Sequence, residues 1–152
     1  MNFSDIAKLK WVNIRNNRIE YTRSKTGKTF SVGILPVTQE ILDYYKEFNP
    51  DSEYIFPILS RGHKTDIQKR DRIKSVLKRI NKHMKQIAES VGIETKLTSY
   101  IARHTYAMVL KRGGADISKI SDALGHQNVD VTQSYLDSFG DEVLDAMDKN
   151  LI

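Results

Sequence analysis

Apolar residues follow a helical spacing at the start of the chain, a strand-like spacing over about residues 11–35, and a helical spacing over most of the rest. A first helix is predicted over residues 3–9, where Phe3, Ile6 and Leu9 share one side. Three segments typical of strands follow at residues 11–14, 18–23 and 29–35, separated by turns at residues 16–17 and 25–28. Pro36 ends this part. The pattern predicts a small three-stranded antiparallel sheet.

Helical spacing dominates after the sheet. The longest predicted helix, residues 67–91, carries one apolar stripe and ends before Gly92. Asp116 and Asn128 are predicted to cap two of the short helices, and Thr98 or Ser99 a third. The fold class expected is therefore α+β and mainly helical, with the sheet packed beside a helical core. The predicted helices after the sheet span residues 38–48, 67–91, about 99–112, 117–124, 129–136 and about 141–151. The stripe comprises Ile73, Val76, Leu77, Ile80, Met84, Ile87, Ala88 and Val91.

Composition narrows the class of protein. The length of 152 residues fits one domain with a sizeable core. The sequence has no cysteine, which excludes disulfides and thiolate metal sites, and no spacing of His, Asp or Glu indicates a metal site. Neither a membrane span nor a secretory signal is recognisable. A cytoplasmic protein is expected, and the abrupt start within a helix indicates a piece of a longer protein.

Charge is unevenly distributed. The net charge is +5, and residues 61–96 contain eleven cations against four acids, whereas residues 137–148 contain five acids and no cation. A basic middle with an acidic tail indicates a polyanionic partner, nucleic acid first, although a solvated helix face would give the same pattern.

Three short motifs carry the candidate chemistry. Arg103-His104 precedes Leu124-Gly125-His126, and Tyr135 lies nine residues after that histidine. The spacing places an arginine, a histidine and a tyrosine on consecutive short helices. This trio suits a phosphodiester, because cations oppose the phosphate charge and a phenol can serve as nucleophile.

These motifs resemble those of the tyrosine recombinase, or phage integrase, family. That family has an H-x-x-R box, an L-G-H box about twenty residues later, and a nucleophilic tyrosine nine residues after the L-G-H histidine. The resemblance covers nearly the whole chain and implies a catalytic domain, residues 1–152, without the family's N-terminal core-binding domain. It implies site-specific recombination of double-stranded DNA through a 3′-phosphotyrosyl intermediate, with no cofactor. It further implies a homotetramer on DNA in the full-length protein, with the fragment alone a monomer.

The resemblance assigns a role to each matching residue. Tyr135 would attack the DNA phosphate, Arg103 would hold two non-bridging oxygens, and His126 would donate to the same phosphate and relay a proton. Lys25, in the hairpin turn, would protonate the leaving 5′ oxygen, with Lys28 as the competing candidate. His104 is expected to act indirectly, by holding the active-site helix in place. The residues expected to follow the DNA backbone are Lys28, Lys69, Arg70, Lys74 and Lys78.

Two positions depart from the family pattern. Tyr100 stands where the H-x-x-R box has histidine, so its phenol can donate a hydrogen bond but carries a proton less readily near pH 7. The family's first arginine falls on Asn2, unless it lies upstream. Asparagine cannot replace a bidentate guanidinium, so the fragment alone is expected to have little strand-transfer activity.

Other functions remain open on the sequence alone. A non-catalytic DNA-binding module derived from a recombinase is the main alternative. The helices at residues 99–112 and 117–124 could imitate a helix-turn-helix, and a type IB topoisomerase uses similar chemistry. A basic scaffold protein would need none of the three motifs. The predicted helix at 141–151 could dock on a neighbouring protomer or pack on its own domain.

Overall fold

A computed structural model describes residues 1–137 of the chain, which divide into two compact units, residues 1–99 and residues 100–137. Each unit is built around its own apolar cluster or clusters. No helix within residues 1–137 combines the length and apolarity needed to cross a membrane. The first unit contains α1 (Phe3–Lys8), a 3-10 helix (Trp11–Asn13), β1 (Ile14–Arg15), β2 (Arg18–Thr22), β3 (Thr29–Gly33), α2 (Pro36–Phe48) and α3 (Asp66–Ser90). The second contains α4 (Ile101–Arg112), α5 (Ile117–Leu124) and α6 (Val129–Asp137).

The sheet has the predicted number of strands, in the order β1-β2-β3 with antiparallel pairing. Asn16 and Asn17 both adopt positive φ values, of 48° and 58°, which a tight two-residue hairpin requires and which asparagine tolerates. Tyr21 pairs with Phe30 across β2 and β3, and their rings stack at 5.2 Å. This cross-strand pair stabilises the hairpin that carries Lys25.

The first predicted strand, residues 11–14, is wrong for all but its last residue. Residues 11–13 form the 3-10 helix instead. Asn13 accounts for the difference, because its Oδ1 accepts from the Lys10 backbone N–H at 2.9 Å and its Nδ2 donates to the Glu20 carbonyl at 2.9 Å. Such side-chain bonds to the backbone compete with ladder bonds and draw the chain out of the extended form.

The loop between α2 and α3 supplies much of the core of the first unit. Tyr54, Ile55 and Leu59 are all at most 5% exposed. Backbone bonds hold this loop against the end of α1, since the Ile55 N–H donates to the Leu9 carbonyl at 3.0 Å. Its residues complete two apolar clusters. One contains Ala7, Tyr54, Leu59 and Ile73, and the other contains Leu9, Ile19, Leu42 and Ile55.

Helix α3 begins where its sequence predicts but buries less of its stripe than expected. Thr65 and Gln68 form a capping box at its start. Ile73, Val76 and Ala88 are buried, whereas Ile87 and Val91 are 54% and 63% exposed, so the far end of the stripe is buried only in part. A helix of 25 residues is about 37 Å long. It therefore extends beyond the cluster against which its first half packs.

Within residues 100–137 the second unit packs three short helices on one cluster, made of Ala107, Met108, Ile120, Leu124 and Leu136. Asp116 caps α5 by accepting from the Ser118 N–H at 2.8 Å, and Asn128 accepts from the Val131 N–H at 2.9 Å at the start of α6, as predicted.

The predicted cap of α4 by Thr98 or Ser99 is wrong. The helix starts at Ile101, with Tyr100 at its N-cap and no side-chain cap bond. The Ser99 N–H instead donates to Asn81 Oδ1 at 3.0 Å, which ties this residue to α3 within the first unit. The predicted helix at residues 141–151 lies outside the described residues.

Candidate active site

Arg103 on α4 points at the end of α5. Its Nη2 donates to the Leu124 carbonyl at 2.6 Å and to His126 Nε2 at 3.3 Å. The carbonyl is one of the acceptors that the last turn of a helix leaves without an intrahelical partner. The end of α5 therefore orients the guanidinium and brings it to the L-G-H histidine.

Gly125 makes this approach possible. It adopts φ 68° and ψ 37°, a left-handed conformation that ends α5 and redirects the chain so that His126 turns back toward α4. The other ring nitrogen, Nδ1, lies 2.8 Å from Oγ1 of the fully buried Thr132 on α6. A guanidinium only donates, so Nε2 must be the acceptor of the imidazole and Nδ1–H the donor to Thr132. Both nitrogens of His126 are therefore engaged.

Tyr135 on α6 meets a different histidine. Its Oη lies 2.6 Å from Nδ1 of His104, and the two rings stack with centroids 5.0 Å apart and planes 10° apart. The ring of His126 lies edge-on to Tyr135 at 5.7 Å between centroids. Tyr100, one helical turn before His104, stands edge-on to His104 at 4.4 Å. The five side chains Tyr100, Arg103, His104, His126 and Tyr135 form one group, called here the tyrosine cluster.

The environment keeps the two hydrogen-bonded partners neutral. Burial raises the pKa of the Tyr135 phenol, the neighbouring Tyr100 hydroxyl raises it further, and the Arg103 guanidinium opposes both. Burial, followed by the Arg103 charge, lowers the pKa of His104 below its usual range. Arg103 then supplies the positive charge of the cluster near pH 7, which suits an anionic group such as a phosphate. Within residues 1–137 no group of acidic, His or Cys side chains has the arrangement of a metal site.

The sequence placed Arg103, His126 and Tyr135 around one site, and the structure brings these side chains together. Tyr100 is also part of the cluster, as predicted from the H-x-x-R position. It lies at the N-terminal end of α4, and its side chain is half-exposed. His104 was predicted to act indirectly, whereas it contacts the Tyr135 hydroxyl. Spacing alone could not have found this contact, because Tyr135 reaches back 31 residues to make it.

The hairpin residues belong to the first unit and are described there. Lys25 is exposed in the turn between β2 and β3, and Lys28 lies with its Nζ 5.9 Å from the centre of the Phe30 ring. Gly27, at φ 68°, allows the tight turn. The turn is held to α1 by the Ser24 N–H, which donates to the buried carboxylate of Asp5 at 3.2 Å.

Arg23 is a neighbour of Asn2 that the sequence did not indicate. With the Asn2 amide oxygen turned toward it, that oxygen accepts from Arg23 Nε at 3.2 Å and Nη2 at 3.0 Å. A guanidinium therefore lies beside the position where the family pattern has its first arginine. The signal available in the sequence was the proximity of Arg23 to Lys25.

Two of the lysines expected to follow DNA, Lys74 and Lys78, line an open groove along α3. Lys69 and Arg70 do not line it, and Arg70 contacts Asp71 at 3.2 Å on the surface. The groove is closed on its other side by the segment before α4, so its cations come from two parts of the chain. Its lining consists of Lys74, Leu77, Lys78, Asn81, Lys85, Lys96, Leu97 and Thr98.

Comparison with known proteins identifies relatives in one family. The sequence pattern of the phage integrase family matches residues 1–141. The chain is 31% identical over 120 residues to the tyrosine recombinase XerC of Rhodospirillum centenum, covering 79% of this chain and 33% of that protein. It is 27% identical over 129 residues to the tyrosine recombinase XerA of Pyrococcus furiosus, covering 84% of this chain and 42% of that protein.

A solved structure shares the fold. The crystal structure of XerA recombinase matches with a TM-score of 0.66 and 23% identity, over 98% of this chain and 51% of that one. The chain thus spans between about a third and about half of the length of these proteins. Since the family pattern matches nearly the whole sequence, this chain belongs to the phage integrase family, the tyrosine recombinases.

Proposed function

We propose that this chain is the catalytic part of a site-specific recombinase that cleaves and rejoins double-stranded DNA through a 3′-phosphotyrosyl intermediate. The observation that carries the proposal is the tyrosine cluster, in which the phenol of Tyr135 lies among an arginine, two histidines and a second phenol. Tyr135 and Arg103 are on different helices, and Arg103 is 3.3 Å from His126. This arrangement has a nucleophile and cationic or hydrogen-bonding groups at a spacing suited to one phosphate.

The reaction follows from the roles of these groups. Arg103 binds the non-bridging oxygens and opposes the charge that grows on them, and His126 adds a hydrogen bond. Tyr135 Oη attacks the phosphorus, the bond to the 5′ oxygen breaks, and Lys25 protonates that oxygen. The phosphotyrosyl ester retains the energy of the broken bond, so a second 5′ hydroxyl can reverse the step without a nucleotide cofactor.

The groove along α3 is proposed to receive the DNA backbone. Four lysines line it, Lys74, Lys78, Lys85 and Lys96, and the net charge of the chain is +5. Contacts of this kind position a duplex without reading its sequence, and they weaken as salt concentration rises. In the full-length protein the assembly on DNA is proposed to be a homotetramer.

The departures from the family pattern lower the activity expected of this chain by itself. Losing one donor to the transition-state charge typically slows a reaction roughly 100–1,000-fold. Asn2 lacks that donor at the first arginine position, and Tyr100 puts a phenol where the H-x-x-R box has an imidazole.

The direct test is covalent trapping on a nicked suicide substrate, with the intact protein that contains this chain. The wild type should form a DNA adduct that maps to Tyr135, and Tyr135→Phe should form none. Tyr106→Phe is the matched control, because Tyr106 is an exposed tyrosine on α4 outside the tyrosine cluster, and it should form the adduct at the wild-type rate. Adduct formation by Tyr135→Phe at the wild-type rate would refute the assignment.

A non-catalytic DNA-binding module is the second candidate, and Asn2 at the first arginine position favours it. The same experiment separates the two. If the intact protein binds duplex DNA with the expected salt dependence but forms no adduct, the result supports the non-catalytic DNA-binding module.

A further inference from the structure

We propose that His104, and not the L-G-H histidine His126, accepts the phenolic proton of Tyr135 when the phenol attacks DNA. This inference rests on the proposed strand cleavage. It turns a residue expected only to hold a helix in place into a proton acceptor for the nucleophile.

The geometry of the pair is that of a nucleophile and its base. Tyr135 Oη and His104 Nδ1 are 2.6 Å apart, within the reach that a general base needs. The rings are nearly parallel, with an angle of 10° between planes, and the Tyr100 ring stands at 85° to the imidazole with the centroids 4.4 Å apart. The imidazole therefore contacts both phenol rings, which limits its movement.

Both ring nitrogens of His126 already form hydrogen bonds to other residues. Its Nδ1–H donates to Thr132 Oγ1 at 2.8 Å, and its Nε2 accepts from Arg103 at 3.3 Å. Taking a proton from Tyr135 at Nε2 would bring two donors, the guanidinium and the new N–H, face to face. This arrangement fits His126 for a hydrogen bond to the phosphate, once DNA displaces the Arg103 contact, better than it fits a base.

The charges around Tyr135 and His104 keep both side chains neutral in the absence of DNA. The side chains that face this pair within residues 100–137 are Tyr100 and Arg103 from α4 and His126 from the turn after α5. Burial raises the pKa of the phenol, and burial and Arg103 lower the pKa of the imidazole, so the proton rests on Tyr135. A bound phosphate opposes the Arg103 charge and thereby favours the imidazolium.

The step balances without a further reactant. The Oη lone pair forms the bond to phosphorus, the Oη proton moves to His104 Nδ1, and the phosphorus–O5′ bond breaks. The O5′ oxygen takes its proton from Lys25. On rejoining, a 5′ hydroxyl attacks and gives its proton to the Lys25 amine, and the departing phenolate recovers its proton from the His104 imidazolium.

The experiment measures single-turnover adduct formation against pH with the intact protein on a nicked suicide substrate. His104→Asn is the informative variant, because the amide oxygen can accept the phenolic hydrogen bond but cannot take the proton. It should slow adduct formation by about 100-fold or more and abolish the decline of the rate at acid pH. His126→Asn should slow the reaction while keeping that decline. A wild-type rate and pH profile for His104→Asn, or loss of the acid decline in His126→Asn instead, would overturn the inference.

A second measurement tests the contact without catalysis. In the 152-residue chain labelled with nitrogen-15, the His104 Nδ1 resonance of the wild type should report a hydrogen-bond acceptor, and Tyr135→Phe should shift it and raise the pKa of His104. An unchanged resonance and pKa would overturn the inference. The experiments distinguish failure of the two proposals. If the wild type forms no adduct, strand cleavage itself is contradicted. If the wild type forms the adduct and His104→Asn has no effect, only the assignment of His104 as the base is contradicted.

Discussion

The hydrogen bond between His126 and Thr132 offers a sharp test of how the site is built. Thr132 is fully buried, and its Oγ1 is 2.8 Å from His126 Nδ1. Thr132→Val replaces the hydroxyl with a methyl of similar size, so it opens no cavity. The Nδ1–H of the half-buried His126 imidazole then loses Thr132 Oγ1 as its hydrogen-bond acceptor.

The expected loss follows from that unmade bond. A buried donor left without a partner costs about 1–3 kcal/mol, and the partial exposure of His126 places the expected loss at about 1–2 kcal/mol. For a chain of this length the melting temperature should fall by roughly 2–8 °C. The freed imidazole should also lose its preference for the Nδ1–H tautomer, and with it the acceptor that Arg103 contacts.

Thermal unfolding and nitrogen-15 spectra of the histidine rings measure the two effects. Thr132→Ser is the control, because it keeps the hydroxyl and removes only a methyl. It should lose about 1 kcal/mol of packing while keeping the His126 tautomer of the wild type. If Thr132→Val kept that tautomer and the wild-type melting temperature, the argument that Thr132 orients His126 would be refuted.

Two further predictions concern DNA. If Lys78 neutralises one phosphate, Lys78→Gln should reduce the slope of the logarithm of the binding constant against the logarithm of salt concentration by about 0.9. Lys46→Gln makes the same charge change at an exposed position of α2 and should leave the slope unchanged. Equal effects of the two variants would show that the groove has no special part in binding. Asn2→Arg should raise adduct formation by roughly 100–1,000-fold, and Asn2→Lys much less, because only arginine offers a planar fork to two phosphate oxygens. Equal rates for these two variants, measured on the same suicide substrate, would contradict a bidentate role.

Much of the local structure of this chain can be predicted from short-range chemistry. Gly125 permits the left-handed turn that ends α5, and Asp116 and Asn128 supply acceptors to N–H groups that a helix start leaves free. The same reasoning failed at residues 11–13, where the Asn13 side chain bonds to the backbone of a strand seven residues away. An alternating pattern cannot reveal a bond of that kind.

The sequence by itself determined that an arginine and a histidine lie on α4, a second histidine in the turn after α5, and a tyrosine on α6, because caps, glycines and apolar spacing act within a few residues. Only the tertiary structure decided which histidine meets which partner. The packing of α4, α5 and α6 on one apolar cluster sets His104 against Tyr135 and leaves His126 between Arg103 and Thr132. The physical reason is that contacts between helices depend on how their apolar faces pack together, and neither the spacing of the motifs nor the propensity of any one helix contains that information.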